Sequence, residues 1–144
     1  MAIKRLELRD FTAFRDATLE LSPGLNVFIG ENATGKTHAM KALYCIARVA
    51  ADVRNQGPSI GQKLATVFRP DDGSLGRLGH RRRGQRTASL GATDDGGGTY
   101  SVSIATKSST RKSQNRKFRA PTAVFVPSRE ALAMYEGFTA AYLK

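Results

Sequence analysis

The sequence is poor in several features, and each shortage removes a class of protein. It carries one cysteine, Cys45, so no internal disulfide can form, and its setting in a helical pattern makes that residue a small core side chain. No apolar run approaches the ~20 residues that a membrane helix requires, so no membrane partner is expected. Lys4 and Arg5 near the start are followed by no continuous apolar stretch, which does not read as a secretion signal. Together these point to a reducing cytoplasm. No internal repeat is visible. Acidic residues are scarce as well, 12 against 23 Lys and Arg.

The resulting charge of +11 is concentrated rather than spread. From Arg77 to Arg119 eleven Lys or Arg stand against Asp94 and Asp95, a net of +9. A patch of this kind attracts polyanions through steering and counterion release, which makes DNA a candidate partner; a solvated basic loop without a partner is the plain alternative.

At 144 residues one domain with a buried core is the expectation. Residues 3–9 read as a strand, and Ala17, Leu19 and Leu21 alternate with polar neighbours as a second, half-buried strand. After a Pro23-Gly24 turn, the run Leu25-Asn26-Val27-Phe28-Ile29 predicts a strand covered on both faces. Ala39, Leu43, Ile46, Ala50 and Val53 then recur at helical spacing, predicting one amphipathic helix from near Gly35 to before Gly57-Pro58. A shorter helix is expected over residues 60–68, stopped by Pro70, and a mobile loop over 71–86. Residues 87–93 and 99–107 are β-prone and joined by Asp94-Asp95-Gly96-Gly97-Gly98, which predicts a hairpin. A basic, serine-rich loop over 108–119, a buried strand over 123–126 and a helix from Arg129 capped by Ser128 complete the reading. The last helix meets no stop signal before Lys144 and looks cut off.

The chemistry is carried by Gly30-Glu31-Asn32-Ala33-Thr34-Gly35-Lys36-Thr37, which fits the pattern G-x-x-x-x-G-K-[ST]. Gly30 lets the chain leave the preceding strand, and Gly35 permits close backbone approach where the helix begins. Main-chain N–H groups from Asn32 to Thr37 can converge on a β-phosphate, aided by the positive end of the helix dipole. Lys36 supplies a point charge to the β- and γ-phosphates, and the Thr37 hydroxyl is a Mg²⁺ ligand. The pattern arises by chance in roughly one chain of this length in two hundred, and the strand before it and helix after it lower those odds further. Binding of ATP with Mg²⁺ is therefore the leading expectation. His38 reads as a packing residue, and neither Glu31 nor Asn32 is given a catalytic role.

The surroundings of the loop identify a family. Phe11-Thr12-Ala13-Phe14-Arg15-Asp16, then Leu21-Ser22-Pro23-Gly24-Leu25-Asn26-Val27-Phe28-Ile29-Gly30-Glu31-Asn32, closely resembles the start of ABC-type ATPases of the RecF, structural-maintenance-of-chromosomes and overcoming-lysogenisation-defect group. A looser likeness to bacterial AAA-type ATP-binding proteins covers Val124-Phe125-Val126-Pro127-Ser128-Arg129-Glu130 and Met134-Tyr135-Glu136-Gly137-Phe138. The resemblance implies an α/β P-loop NTPase fold, an ABC-ATPase-like N-terminal lobe with mixed or antiparallel strands packed on the P-loop helix. It also implies that residues 12–15 approach the adenine, which makes Arg15 a nucleotide contact. Arg129 or Glu130 would face the metal or attacking water, or else simply begin a helix.

Relative to that family, Ala33-Thr34 and Thr37 replace the usual Gly-Ser and Ser, all compatible with phosphate and Mg²⁺. No "LSGGQ" signature, no apolar strand ending in Asp-Glu and no histidine switch occurs. The chain therefore reads as one partial lobe, 1–144. Within it, 1–56 would hold strands, P-loop and helix, 57–119 a basic loop and hairpin insertion, and 120–144 a strand and truncated helix. Hydrolysis would need a missing C-terminal half or a second protomer. The expected role is in DNA repair, chromosome maintenance or phage defence; the alternative is a basic nucleic-acid-binding module with a vestigial nucleotide site.

Overall fold

A computed structural model describes residues 2–52, 56–80, 84, 87–106 and 111–126. The helix read from Arg129, its Ser128 cap, and Arg129 and Glu130 lie outside these residues. So do Arg81, Arg82, Arg83, Arg86 and Lys107 of the basic region.

Five strands, β1 (Ile3–Phe11), β2 (Phe14–Glu20), β3 (Thr87–Asp94), β4 (Thr99–Ala105) and β5 (Arg111–Arg116), form one sheet in the order β2-β1-β3-β4-β5, antiparallel throughout. Period-two patterning sets which face is covered. Leu6 and Leu8 of β1 stand opposite Ala92 and Leu90 of β3, and Tyr100, Val102 and Ile104 of β4 continue the same buried layer. Onto it pack α1 (Lys36–Ala50) and α2 (Ile60–Phe68), with Leu75 and Leu78 of one short 3-10 turn closing the core beneath. α2 begins with a reciprocal capping box in which Ser59 accepts from the Gln62 N–H and Gln62 accepts from the Ser59 N–H.

The hairpin forms where the glycines and aspartates predict it, with Asp94 as its staple. This buried carboxylate accepts from the N–H groups of Gly96 at 2.9 Å and Gly98 at 2.8 Å, and from Arg119 at 2.8 Å beyond β5. One side chain thereby fixes the turn and the return of the chain after the edge strand.

Several expectations are corrected. Residues 71–78 are not a structureless loop: Leu75 and Leu78 are buried, and Gly79 bridges Phe11. The segment read as the basic loop 108–119 contains β5. An edge strand exposed on both faces carries no apolar alternation to reveal it, and its backbone pairing with β4 makes it a strand. α1 is 15 residues long and ends at Ala50, while Val53, read as the last residue of its apolar face, lies outside the described residues.

The largest difference concerns the two most apolar runs. Residues 25–29 and 123–126 form no strand, and neither pairs with one among the described residues. Leu25, Val27 and Ile29 are 86%, 68% and 90% exposed, and Val124 and Val126 83% and 76%. Their alternate residues turn inward: Phe28 packs on the core and the Phe125 ring lies 5.7 Å from Tyr44 of α1. Being apolar on both faces suits a strand with neighbours on each side, and here one face of each run has none among the described residues.

α1 accordingly has two apolar faces. Ala39, Ala42, Cys45 and Ile46 are buried in the core. Met40, Leu43 and Tyr44 line a cavity of about 1220 Å³ bounded on the far side by Val124 and Phe125.

Candidate functional site

The glycine loop runs from the end of the exposed 25–29 segment into the first turn of α1. Gly30 through Thr34 and Thr37 are exposed, and Gly35 and Lys36 half-buried. Gly35 is the residue before the helix, at φ 94° and ψ 6°, a conformation that side chains oppose. A methyl group there would lie 2.8 Å from Phe14 Cζ and 3.1 Å from Ala13 Cβ. The close approach that demands glycine is thus to the β1–β2 turn, which the structure presses against the loop.

That turn is itself tightly held. Thr12 sits at φ 50°, unusual for a β-branched residue, with its N–H donating to Leu78 O at 2.7 Å and its carbonyl 3.0 Å from His80 Nδ1. His80 N–H donates to Asp10 O at 2.7 Å. Arg15, the next residue after Phe14, is exposed on β2.

The N-terminus of α1 has neither a side-chain cap nor an acid in its first turn; its first internal bond is Ala39 N–H to Gly35 O at 2.9 Å. Its leading N–H groups therefore lack an intrahelical acceptor, and the helix dipole is uncompensated there. Lys36 turns back over the loop, donating from Nζ to Gly30 O at 2.7 Å and Glu31 O at 2.5 Å, while Thr34 Oγ1 donates to Glu31 O at 2.9 Å. Ala33 adopts φ 63°. The resembling pattern has glycine at this position, and that was the available signal for a left-handed residue in the loop.

Two neighbours are structural. His38 packs its ring 5.7 Å from that of Phe68, with Nδ1 buried and unpartnered. Desolvation, then the nearby Lys41 charge, lowers its pKa. Cys45 is fully buried, which pushes its thiol up to about 12, so it stays protonated and inert.

The arrangement can receive a multiply charged anion. A helix start with open N–H groups, a lysine ammonium already among loop carbonyls and an exposed threonine hydroxyl lie within eight consecutive residues. The donor set fits a nucleotide phosphate, and the exposed Thr37 hydroxyl is an oxygen donor of the kind that could hold Mg²⁺.

Comparison with known proteins agrees with this geometry. The AAA ATPase domain family matches residues 1–119. DNA replication and repair protein RecF of Acidothermus cellulolyticus is 51% identical over 47 residues, 33% of this chain and 13% of that protein. RecF of Streptococcus suis is 32% identical over 96 residues, covering 67% of this chain and 25% of the relative, and RecF of an Enterobacter species is 32% identical over 104 residues, 72% and 27%. The matched parts thus span only about an eighth to a quarter of those proteins. A solved structure from work on ATP-driven dimerization and DNA-stimulated activation of SMC ATPases superposes with a TM-score of 0.59 at 15% identity, over 85% of this chain and 74% of that one, and shares the fold. With the loop, the helix it opens and the sheet beneath them on one side, and a family match over most of its length on the other, the chain belongs to the AAA ATPase domain family.

Proposed function

We propose that the chain is the ATP-binding lobe of a RecF- or SMC-like ATPase that works on DNA, holding the β- and γ-phosphates of ATP on residues 30–37. The observation that carries this reading is the junction of loop and helix: α1 starts without cap or acid, and Lys36 rests on the carbonyls of Gly30 and Glu31. The Lys36 ammonium would exchange those carbonyls for phosphate oxygens, and backbone N–H groups of 32–37 would hold the β-phosphate. When bound, Mg²⁺ supplies charge neutralisation between the phosphates, and Thr37 would hold it. Arg15 would reach the base or ribose, since it is exposed on β2 next to Phe14, which packs against Gly35 of the loop.

Hydrolysis belongs to a larger assembly in this reading. The open faces of residues 25–29 and 124–126 leave five large aliphatics in water, each forgoing about 1.5–3 kcal/mol of burial free energy. We place the completing strands of the ATPase, with the acidic residues that orient water, over these faces, on either a C-terminal half or a second protomer. The RecF relatives support a role in DNA repair, and chromosome maintenance and phage defence fall within the same reading, with a cytoplasmic location.

The test is nucleotide binding with Mg²⁺, measured by titration calorimetry or a fluorescent ATP analogue. Lys36→Ala should weaken binding by at least about tenfold, the loss of one charge-assisted contact. Equal binding by wild type and variant would refute the site. The second reading, a basic module with a vestigial nucleotide site, draws on the cationic edge strand β5 and predicts no nucleotide binding by either protein.

A further inference from the structure

The turn between β1 and β2 is built at a backbone cost. Asp10 and Thr12 both adopt the left-handed region, at φ 45° and 50°, on either side of the fully buried Phe11. Aspartate tolerates that region, but a β-branched threonine resists it and persists there only where its surroundings over-determine it. The Thr12 hydroxyl, buried without a hydrogen-bond partner among the described residues, gives its own backbone no support. The support comes from three residues far along the chain. Leu78, Gly79 and His80 form a strap that runs antiparallel to residues 10–12, with Gly79 bridged to Phe11. His80 N–H donates to Asp10 O at 2.7 Å, and Thr12 N–H donates to Leu78 O at 2.7 Å, so the backbone is held on both sides of Phe11.

A third bond comes from a side chain. His80 Nδ1 lies 3.0 Å from Thr12 O. A carbonyl only accepts, so Nδ1 carries the proton and the ring donates. This bond fixes the peptide that joins Thr12 to Ala13, because the oxygen it holds belongs to that planar unit. Ala13 and Phe14 are the residues pressed against Gly35, where the phosphate loop turns into α1 at φ 94°. The strap is seated from behind as well: a Cβ on the buried Gly79 would collide with the Thr106 side chain just beyond β4. The Phe11 ring centre lies 5.4 Å from that of Phe68 in α2, which in turn lies 5.7 Å from His38 in the first turn of α1. The turn thus bears on the start of α1 by two routes, and His80 holds the one that reaches the loop.

We propose that His80 is a positioning residue for nucleotide binding. Its ring fixes the Thr12–Ala13 peptide, and Phe14 thereby holds Gly35 and the N–H groups that follow it in the arrangement that receives phosphate. His80 acts through Phe14 and not by touching the nucleotide. Stability alone does not call for this ring: two backbone bonds already pair residues 10–12 with the strap, and the ring adds its bond at the peptide that leads to Phe14. The proposal rests on the nucleotide-binding reading above and adds to the loop a residue from outside the eight-residue pattern.

The experiment is titration of the full chain with a fluorescent ATP analogue and Mg²⁺. The proteins compared are wild type, His80→Leu, His80→Asn, Phe14→Ala and His80→Leu/Phe14→Ala, with Lys36→Ala as the reference for the loop. His80→Leu removes the donor at similar size and should weaken binding by about three- to tenfold, the range that one net hydrogen bond spans. His80→Asn carries an amide N–H on the same Cγ as Nδ1 and should stay within about twofold of wild type. In the Phe14→Ala background the His80→Leu change should cost less than about twofold, because the path through the ring is already cut. Circular dichroism at the assay temperature checks folding. If the Leu variant does not fold, His80→Gln takes its place, with an amide that stands nearer the position of Nε2 and out of reach of Thr12 O. Unchanged affinity in His80→Leu, an equal loss with Leu and Asn, or the same loss from His80→Leu in both backgrounds would overturn His80 as a positioning residue while leaving the loop as the nucleotide site. Absence of nucleotide binding by wild type would overturn the phosphate-loop reading and this inference with it.

Discussion

Replacing Gly35 by alanine tests the contact that joins the β1–β2 turn to the phosphate loop. Two separable costs are built into the site. The backbone at φ 94° opposes any Cβ, a penalty of about 1–2 kcal/mol. The added methyl would also meet Phe14 Cζ at 2.8 Å, Phe14 Cε2 at 3.0 Å and Ala13 Cβ at 3.1 Å, and overpacking of this kind costs about 1–3 kcal/mol. Gly35→Ala should therefore destabilise by about 2–5 kcal/mol, a fall in Tm of roughly 7–17 °C for a chain of this size. A double-mutant cycle with Phe14→Ala separates the terms. Once the ring is gone, the same glycine change should cost only the backbone part, about 1–2 kcal/mol. Urea unfolding followed by circular dichroism gives the four stabilities, and titration with a fluorescent ATP analogue shows whether the loop still binds. An identical cost of Gly35→Ala in both backgrounds would refute the claim that Phe14 seats the loop.

Three further expectations concern Ala33, Asp94 and His38. Ala33→Gly should stabilise the protein by about 0.5–1 kcal/mol, because it relieves the left-handed strain at φ 63°; a lower Tm than wild type would contradict it. Asp94→Asn leaves one oxygen where three N–H groups need two, so unfolding midpoints should drop by the equivalent of about 1–3 kcal/mol, and a neutral result would mean that the staple is not needed. The lowered pKa of His38 means that the unfolded chain binds the additional proton first, so this residue's contribution is full above about pH 6.5 and declines as the pH falls from there through the folded pKa. Between pH 7.5 and 5.5 wild type should lose more stability than His38→Gln, and parallel pH profiles would refute the assignment.

Much of this architecture was legible in the residues, and the failures have physical causes. β1, β2, α2 and the hairpin announce themselves through strict alternation, helical spacing and the Asp-Gly turn, since in each the local pattern and the final packing agree. β5 was missed because an edge strand open to water on both faces has no hydrophobic period to read. Residues 75–78 were missed because two leucines among glycines and cations give too short a pattern. The apolar runs at 25–29 and 123–126 were read as buried strands, which is what such a composition means when neighbours flank it; here one face of each remains open. Within the site, the eight-residue pattern located the loop, but spacing alone says nothing of Phe14 against Gly35 or of Lys36 on the loop's own carbonyls. Both are contacts between parts of the chain, or folds of a side chain, that a linear motif does not encode.

That last contact makes the free loop self-inhibited in a small way. The ammonium that a triphosphate would recruit is already engaged by Gly30 and Glu31. An arriving nucleotide must displace an internal competitor, tethered at high effective concentration, before it gains the charge. The resting loop is kept in shape at some cost in affinity, so occupancy follows the difference between two sets of partners for one lysine, and inorganic phosphate, which offers fewer contacts, should displace them poorly.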